Sequence, residues 1–433
     1  MSNIATGVVG IMMVILLMTC GFPIGLAMIL VGFAGFAYLV NLTAAIHVIA
    51  TVPYGVISSY DWLVLPLFFF LAAILFFGGL GQSMFKLAYN YLGRLPGGLA
   101  MATIGAISIF SAISGSSIAA AITIGTIALP EMKKYKYGDS LATASVAAGG
   151  TLDILIPPSG VMIIYGILTE TSIVKVFIAG VIPGVILSLM FMSIIYIWAR
   201  LNPMIAPPGP GTSLREKLVA TGECVDVIVL IAIVLGGLIV GWFTPNEAAG
   251  IGAFGAIVAS LIRRRLTWQG FKDSLGDTLR NTGMVFIILI GAHVFNFFLA
   301  VSRIPLELAS LVAESGLSPI SVMGLIVLVY FILGCLIDTM SMILLTIPIF
   351  FPLVKGLGFD PIWFGVIVVL VVEMAMVTPP VGMNVWVVSG IAKDVPMEVI
   401  FKGIWPFVLA EIIFIILLIA FPQIALFLPR ILS

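Results

Sequence analysis

Two short polar motifs interrupt apolar sequence, and a pair of adjacent prolines follows each of them later in the chain. The polar motifs are SAISGSS, Ser111 to Ser117, and GCLIDTMS, Gly334 to Ser341. The proline pairs stand in IPPSG, Ile156 to Gly160, and in TPPVG, Thr378 to Gly382. Proline has no N–H group, so two in succession free backbone carbonyls one turn back. Hydroxyls and free carbonyls are ligands for small hard cations, and helix N-termini attract anions, so the pattern predicts an ion-binding site.

Four carboxylates in or beside the apolar runs are further candidates. Asp338 stands in the second polar motif and Asp153 just before the first proline pair, so both are predicted to serve a cation site. An ionisable group inside a long apolar run is a functional suspect by default. For Glu373, a functional role and a structural bond between helices are equally expected. Glu411 is far from either proline pair and is predicted to be structural or to face a partner.

The composition places these motifs in a membrane. Of 433 residues, 62% are apolar and 9% are charged, with a mean hydropathy of +1.28. Soluble domains carry about 25% charged residues, and β-barrels show short alternating segments instead of long apolar runs. Acidic and basic residues number 19 each, which argues against a nucleic-acid partner. His47 and His293 are far apart with no spacing typical of a metal site, so neither catalytic residues nor an enzyme are predicted.

A window of about 20 residues separates continuous spans from interrupted ones. Full spans are predicted at 5–20, 24–42, 61–80, 174–199, 225–242, 246–262, 281–302 and 398–428. Re-entrant hairpins are predicted at 97–131 and 319–355, and broken helices at 140–170 and 361–393. The segments 82–95 and 267–280 are typical of amphipathic helices at the membrane surface.

The chain is predicted to be a tandem duplication. At an offset of 222 residues, Ser116 aligns with Asp338, and both proline pairs and several other prolines and glycines coincide in order. The first repeat is 1–200, with scaffold helices in 5–95. The second is 225–433, with scaffold helices in 225–302, and a cytoplasmic linker at 201–224 joins the repeats.

Five crossings and one hairpin per repeat would invert the second repeat relative to the first. With the linker inside, 15 lysines and arginines lie inside and four outside, as the positive-inside rule requires. The predicted fold class is an all-α polytopic membrane protein of two inverted repeats, each with a re-entrant hairpin and a broken helix. Broken helices survive in a membrane only where protein or a wet cavity satisfies their backbone, so the pattern predicts a transport site near the midplane.

Three stretches resemble the signature sequences of the large membrane subunit of TRAP transporters, the tripartite ATP-independent periplasmic carriers. They are FSAISGSSIAAAITIGTIALPEM, GGTLDILIPPSG and EMAMVTPPVGMNVWV, and the resemblance extends over essentially the whole chain. It implies uptake of small organic anions, typically carboxylates, driven by a sodium gradient through an elevator movement of the hairpins and broken helices. It also implies a soluble periplasmic substrate-binding protein, a small four-helix membrane subunit and a place in the bacterial inner membrane.

The resemblance implies sodium sites where the hairpins meet the broken helices. For the second site it points to Gly334, Ala375, Thr378 and Val381, with Asp338 nearby. The offset of 222 then proposes for the first site Ala112, Asp153, Ile156 and Ser159, with Ser116 and Ser117 at the tip. The substrate is expected near Ser114, Ser116, Gly160, Thr339, Gly382 and Asn384.

Other classes of protein fit the sequence less well. An ATP-driven pump needs a P-loop motif, which is absent, and nothing resembles the filter loop of a channel. The match GIGAFG, Gly250 to Gly255, lies in a predicted membrane helix and indicates helix packing. The alternative is a stand-alone sodium–dicarboxylate symporter of the same superfamily. C4-dicarboxylates, sugar acids and sulfonates all stay open as substrates.

Overall fold

The computed structural model describes residues 2–209 and 211–432, and all regular structure in those residues is helical. Seven of the described helices are long and apolar enough to cross a membrane, or up to eight when a pair bent by 53° is taken as one span. The prediction of an all-α polytopic membrane protein is therefore confirmed.

The part of the chain before the linker forms helices that include the first predicted hairpin and the first predicted broken helix. In chain order they are α1 Asn3–Thr19, α2 Ile24–Leu39, α3 Leu42–Ser58, α4 Val64–Phe77, α5 Gly81–Leu92, α6 Gly98–Ser114, α7 Ser117–Lys134, α8 Asp139–Leu155, α9 Gly160–Leu168 and α10 Ile173–Leu201. A short 3-10 turn, Tyr60–Leu63, leads into α4.

The linker contains one helix, and further helices follow it to the end of the described residues. These helices are α11 Leu214–Glu223, α12 Val225–Val240, α13 Pro245–Ile262, α14 Trp268–Ser302, α15 Ile304–Glu314, α16 Pro319–Gly334, α17 Thr339–Gly356, α18 Pro361–Val377, α19 Met383–Ile391, α20 Met397–Ala420 and α21 Gln423–Ile431.

Several helix boundaries differ from the sequence-based predictions. The prediction that 267–280 forms a surface helix apart from the span 281–302 is wrong, because α14 runs without interruption through both segments. A change from amphipathic to apolar sequence alters what surrounds a helix without breaking its backbone. The last span, 398–428, is divided by Pro422 into α20 and α21. The helices α3 and α15 lie between the predicted segments, where no span or hairpin was predicted.

The two broken helices form the centre of the protein. Every residue from Leu141 to Leu155 in α8 is buried, and so is every residue from Trp363 to Val377 in α18. Helix α8 is rich in alanine, glycine, serine and threonine, which lets α6, α7, α18, α19 and α20 pack closely around it. Helices α2, α4, α13 and α14 pack on one another beside this centre.

The linker is packed against the part of the chain that precedes it. Its backbone carbonyls at Ile205 and Ala206 accept hydrogen bonds from the N–H groups of Gly138, at 2.7 Å, and Gly97, at 3.2 Å. These glycines stand just before α8 and α6. Helix α11 lies on α5, where Lys86 and Glu223 form an ion pair at 2.7 Å.

Candidate functional site

The first tip, residues 114–117, is the turn that joins α6 to α7. Gly115 has a φ of +61°, a left-handed conformation that favours glycine, and the Ser116 hydroxyl accepts from the Ala119 N–H at 3.4 Å to cap α7. A methyl group at position 115 would lie 3.0 Å from the carbonyl oxygen of Pro158 and 3.3 Å from the nitrogen of Gly160. The first tip therefore packs directly on the first break, residues 156–159.

Asp153 connects the first tip to the broken helix. Its carboxyl group is fully buried, and the Ser114 hydroxyl donates a hydrogen bond to Oδ1. The hydroxyl of Ser111 also lies near this carboxyl group. Oδ2 has no hydrogen-bond partner in the described part of the chain. A buried carboxylate oxygen without a donor is costly, and a bound cation would compensate it.

The proline pair of the first break adds backbone oxygens beside Asp153. In an uninterrupted helix, residues 157 and 158 would donate to the carbonyls of Asp153 and Ile154, but Pro157 and Pro158 have no N–H to give. After the break, the Ser159 hydroxyl accepts from the Met162 N–H at 3.4 Å and caps α9. The predicted first-site residues Asp153, Ser116, Ser117 and Ser159 are thus brought together, with half-buried Ala112 and Ile156 on the flanking turns.

The second tip, residues 335–338, joins α16 to α17. Asp338 is half-buried, and its Oδ2 accepts from the Ser341 N–H at 3.1 Å, which caps α17. Thr339 turns its hydroxyl towards the broken helix α18, 2.6 Å from the sulfur of Met376 and 3.4 Å from Oε1 of Glu373. The cap at Asp338 is the counterpart of the cap at Ser116.

A small cavity lies between the second tip and the second break, residues 378–382. Its volume is about 20 Å³, enough for one water-sized sphere. The lining includes residues 335–337 of the second tip, Gly334, Met376 and, from the break, Val381 and Gly382. Two members of the predicted second sodium site, Gly334 and Val381, therefore line one cavity, and Asp338 does not line it.

The other two members of the predicted second site lie next to that cavity. A methyl group at Gly334 would stand 2.6 Å from Cβ of Ala375. Pro379 and Pro380 cannot donate to the carbonyls of Ala375 and Met376. Among the described residues only the Ala375 carbonyl gains a substitute donor, the Thr378 N–H at 3.1 Å. The Thr378 hydroxyl donates to the carbonyl of Met374 at 2.6 Å, so it is held within its own helix.

Broken elements from the two halves of the chain meet. A methyl group at Gly160 would lie 3.3 Å from Cε of Met340, which follows the second tip. A methyl group at Gly150, in α8, would lie 3.0 Å from Nδ2 of Asn384 and 3.2 Å from the carbonyl oxygen of Ser117. Asn384 is fully buried, and neither its Oδ1 nor its Nδ2 has a partner within residues 2–209 and 211–432.

The predicted substrate residues divide between these two meeting points. Ser114, Ser116 and Gly160 lie at the first tip and first break, Thr339 and Gly382 at the second tip and second break. Asn384, from the second half, reaches the start of α7 in the first half. Four helices begin at a tip or a break, namely α7, α9, α17 and α19. Their N-termini place positive partial charge where an anion is expected.

Glu411 also faces this centre, which agrees with the structural alternative predicted for it and not with the partner-facing one. It is 1% exposed, and the Thr151 hydroxyl of α8 donates to its Oε1 at 2.9 Å. Its Oε2, like Oε2 of Glu373, lacks a partner among the described residues. Helix α18, which carries Glu373, packs on α8 and α20, the helices of Asp153 and Glu411. Thr151 was not predicted, although the offset of 222 aligns it with Glu373.

An ion pair joins the far ends of two of these elements. Lys133, at the end of α7, pairs with Asp394, in the loop after α19. The Lys133 ammonium lowers the pKa of the Asp394 carboxyl below its ordinary value through a hydrogen bond and its charge. Both side chains are exposed, so the pair contributes little stability but marks the contact between α7 and the loop.

Comparisons with known proteins agree on one family. Residues 11–424 match the model of the DctM component of the tripartite ATP-independent periplasmic transporters. The chain is 36% identical over 374 residues to the C4-dicarboxylate TRAP transporter large permease protein DctM of Pseudomonas aeruginosa. The aligned residues are 86% of this chain and 87% of the relative. It is 31% identical to the sialic acid TRAP transporter large permease protein SiaM of Vibrio cholerae, over 96% of each chain.

A solved structure shares the fold at low sequence identity. The crystal structure of the Alcanivorax borkumensis YdaH transporter, described as having an unusual topology, superimposes with a TM-score of 0.62 at 14% identity. The match covers 88% of this chain and 89% of that one.

Proposed function

We propose that this chain, which belongs to the DctM component family of the tripartite ATP-independent periplasmic transporters, imports small organic anions in symport with sodium. It is a multi-pass transporter permease of the bacterial inner membrane. The relatives named for C4-dicarboxylates and for sialic acid indicate carboxylates as the substrate class.

The buried amide of Asn384 is the observation that carries the proposal for the substrate site. It has donors and an acceptor to offer, and a buried amide without partners is costly unless a ligand satisfies it. Asn384 stands in the first turn of α19 and lies near the start of α7, and the positive partial charge of these two helix N-termini would stabilise a carboxylate. Ser114, Ser116 and Gly160 would complete the first-half side of the site, and Thr339 and Gly382 the second-half side.

Sodium is proposed to bind at both contacts between a tip and a break. At the first, Oδ2 of Asp153 and the carbonyls released by the proline pair form an oxygen donor set of the kind that hard cations prefer. At the second, the cavity of about 20 Å³ and the Met376 carbonyl offer space and an oxygen ligand. Binding at either contact would fasten a tip to its broken helix.

Transport is proposed to occur by an elevator movement of the hairpins α6–α7 and α16–α17 with the broken helices. Three contacts support one moving body: Ser114 with Asp153, Thr339 with Glu373, and Lys133 with Asp394. The proposed partners are a small four-helix membrane subunit and a periplasmic substrate-binding protein that delivers the anion. A C4-dicarboxylate or a sialic acid would then be selected mainly by the binding protein, outside the membrane.

Uptake into proteoliposomes tests the proposal directly. The chain is reconstituted with the small membrane protein encoded beside it, and uptake of labelled succinate and sialic acid is measured under an inward sodium gradient or a matched potassium gradient. We expect uptake of at least one of them with sodium only, and only when the periplasmic binding protein is added. Asn384→Asp, which keeps the volume and adds a negative charge, is expected to abolish uptake. Asn41→Asp, at the exposed N-cap of α3, is expected to retain it, because Asp caps a helix as well as Asn does.

Each arm of this experiment has a result that contradicts the proposal. Equal uptake under both gradients would remove sodium coupling. Uptake without the binding protein would identify a stand-alone symporter. Wild-type uptake by Asn384→Asp would remove that residue from the substrate site.

A further inference from the structure

A groove between α12 and α13 is open at the protein surface. It has a volume of about 410 Å³ and an apolar wall. The apolar residues along it are Val225, Val229, Ile233, Gly255, Val258 and Ile262. Three of them, Val225, Val229 and Ile233, are 44–48% exposed, so the groove has no covering element within residues 2–209 and 211–432.

The length of the groove corresponds to one leaflet of a bilayer. Its lining on α12 runs from Val225 to Ile233, which at 1.5 Å per residue is roughly 12 Å, and Gly222 extends it slightly past the 53° bend between α11 and α12. The hydrocarbon core of a membrane is about 30 Å thick, and a partner helix that crosses it would need a groove of that length. A groove of at most half that length fits an acyl chain of a single leaflet better than a transmembrane helix.

The polar end of the groove carries excess positive charge. Arg263 lines it and pairs with Asp226 at 2.6 Å, and these two are the charged residues of the lining. Arg264 follows and is exposed, and Arg265 donates only to uncharged groups, the Gly79 carbonyl at 3.1 Å and the Ser83 hydroxyl at 3.0 Å. Arg263 is thus paired within the lining, and Arg264 adds an exposed positive charge one residue beyond it.

We propose that this groove binds one phospholipid, with an acyl chain along the apolar wall and an anionic headgroup at Arg263 and Arg264. Basic pockets at the cytoplasmic ends of membrane helices bind anionic headgroups, and the groove adds a site for the chain. Because α13 packs on α4, and α4 contacts α9 after the first break, the lipid would brace the helices that support the site. The inference is independent of the proposed substrate and sodium sites.

Native mass spectrometry of the full-length chain tests the proposal. The delipidated protein is titrated with dioleoyl phosphatidylglycerol or dioleoyl phosphatidylethanolamine. We expect Val229→Trp, which fills the groove, to reduce binding of both lipids, and Ile228→Trp, on the neighbouring face of α12 and equally exposed, to leave it unchanged. Arg264→Asn is expected to weaken phosphatidylglycerol binding about fivefold, the value of one basic residue at an anionic surface, with little effect on phosphatidylethanolamine.

Three results would overturn the proposal. The first is equal lipid binding by Val229→Trp and Ile228→Trp. The second is loss of the small membrane subunit in Val229→Trp while lipid binding persists, which would assign the groove to a partner helix. The third is displacement of the lipid by inorganic phosphate alone, which would reduce the site to a free-anion site. If Val229→Trp fails to fold, the test rests on Arg264→Asn, with Arg215→Asn in the linker as its control. The proposal then requires that Arg264→Asn, unlike Arg215→Asn, weakens phosphatidylglycerol binding more than phosphatidylethanolamine binding.

Discussion

The first tip and break are enclosed by protein, whereas the second tip and break reach the surface. Ser159 in the first break is fully buried, while Val381, its counterpart at an offset of 222, is 43% exposed. Ser114 in the first tip is buried, while its counterpart Leu336 is 50% exposed. The same order of helices thus produces one closed and one open contact between a tip and a break.

The position of the carboxylate follows this difference. In the enclosed half, Asp153 lies on the broken helix, where Ser114 donates to it, and the tip position is Ser116. In the open half, the tip position is Asp338, and the broken-helix counterpart of Asp153 is Ala375. A charge inside protein needs donors or a cation, while a half-buried charge can remain in contact with water and cap a helix. At this pair of aligned positions, each half therefore carries its acid where the surroundings can stabilise it.

The largest effect on uptake is expected from a disulfide that joins the first hairpin, α6–α7, to the neighbouring helix α5. A methyl group at Gly81, at the start of α5, would lie 2.6 Å from Cγ2 of Thr123 in α7, close enough for a disulfide. In a background without the native cysteines, Gly81→Cys with Thr123→Cys should abolish uptake when oxidised. The disulfide would tie the hairpin α6–α7, part of the proposed moving body, to α5, one of the scaffold helices predicted in 5–95. Reduction should restore uptake in the same proteoliposomes.

A matched pair within the proposed moving body serves as the control. A methyl group at Gly125 would lie 2.8 Å from Cγ1 of Val146, which joins α7 to α8. Gly125→Cys with Val146→Cys should form its disulfide without loss of uptake. Continued uptake with a fully formed bond between positions 81 and 123 would mean that the two tips open locally and do not travel together.

A large effect is also expected at the enclosed carboxylate. Asp153→Asn keeps the shape and the contact with Ser114 but removes the charge beside the free carbonyls. The loss of one charged ligand should raise the sodium concentration for half-maximal uptake about tenfold or more. Asp139→Asn, at the exposed start of the same helix, should leave that concentration unchanged. An unaltered sodium requirement in folded Asp153→Asn would remove it from the site.

Chemical labelling measures the difference in enclosure itself. With the native cysteines replaced, Val381→Cys should react with a water-soluble maleimide at least about tenfold faster than Ser159→Cys, because each 1.4 kcal/mol needed to open a buried site slows labelling tenfold. The rates are compared in the purified protein without substrate. Similar rates would show that the first break is as open as the second on the time scale of labelling.

The smallest effect is expected at the open carboxylate. Asn caps helices about as well as Asp, so Asp338→Asn should keep its melting temperature. Its partly exposed charge is worth at most about 1 kcal/mol, so the sodium requirement should rise no more than about fivefold. Thr378→Ala, which loses one hydrogen bond to the Met374 carbonyl, should act in the same direction. A larger effect at Asp338 than at Asp153 would reverse the comparison between the two regions.

The ends of the helices around both tips and breaks could be predicted because their causes are local. Gly115 adopts a conformation that favours glycine, and the proline pairs remove donors wherever they stand. Changes of polarity are a weaker signal, as the uninterrupted α14 shows, because amphipathic and apolar sequence can share one helix. The spans were therefore predicted better where proline and glycine mark their ends.

The contacts within the site could be predicted only in part. Ser114 and Asp153 were both identified, but for different ligands, and their hydrogen bond depends on how α6 packs on α8. The bond from Thr151 to Glu411 joins residues 260 positions apart, and no local pattern contains both. Exposure also depends on tertiary packing, so the alignment at 222 residues gave no reason to expect Ser159 and Val381 to differ.

The bonds of the linker bear on the order in which the protein is assembled during synthesis. Ile205, Ala206 and Glu223 all bond to residues between Lys86 and Gly138, which leave the ribosome before the linker does. The linker can therefore dock as soon as it emerges and hold the starts of α6 and α8 in place while the second half is still being made. An insertion placed in the linker would for this reason disturb biogenesis of the first half before it affected the finished transporter.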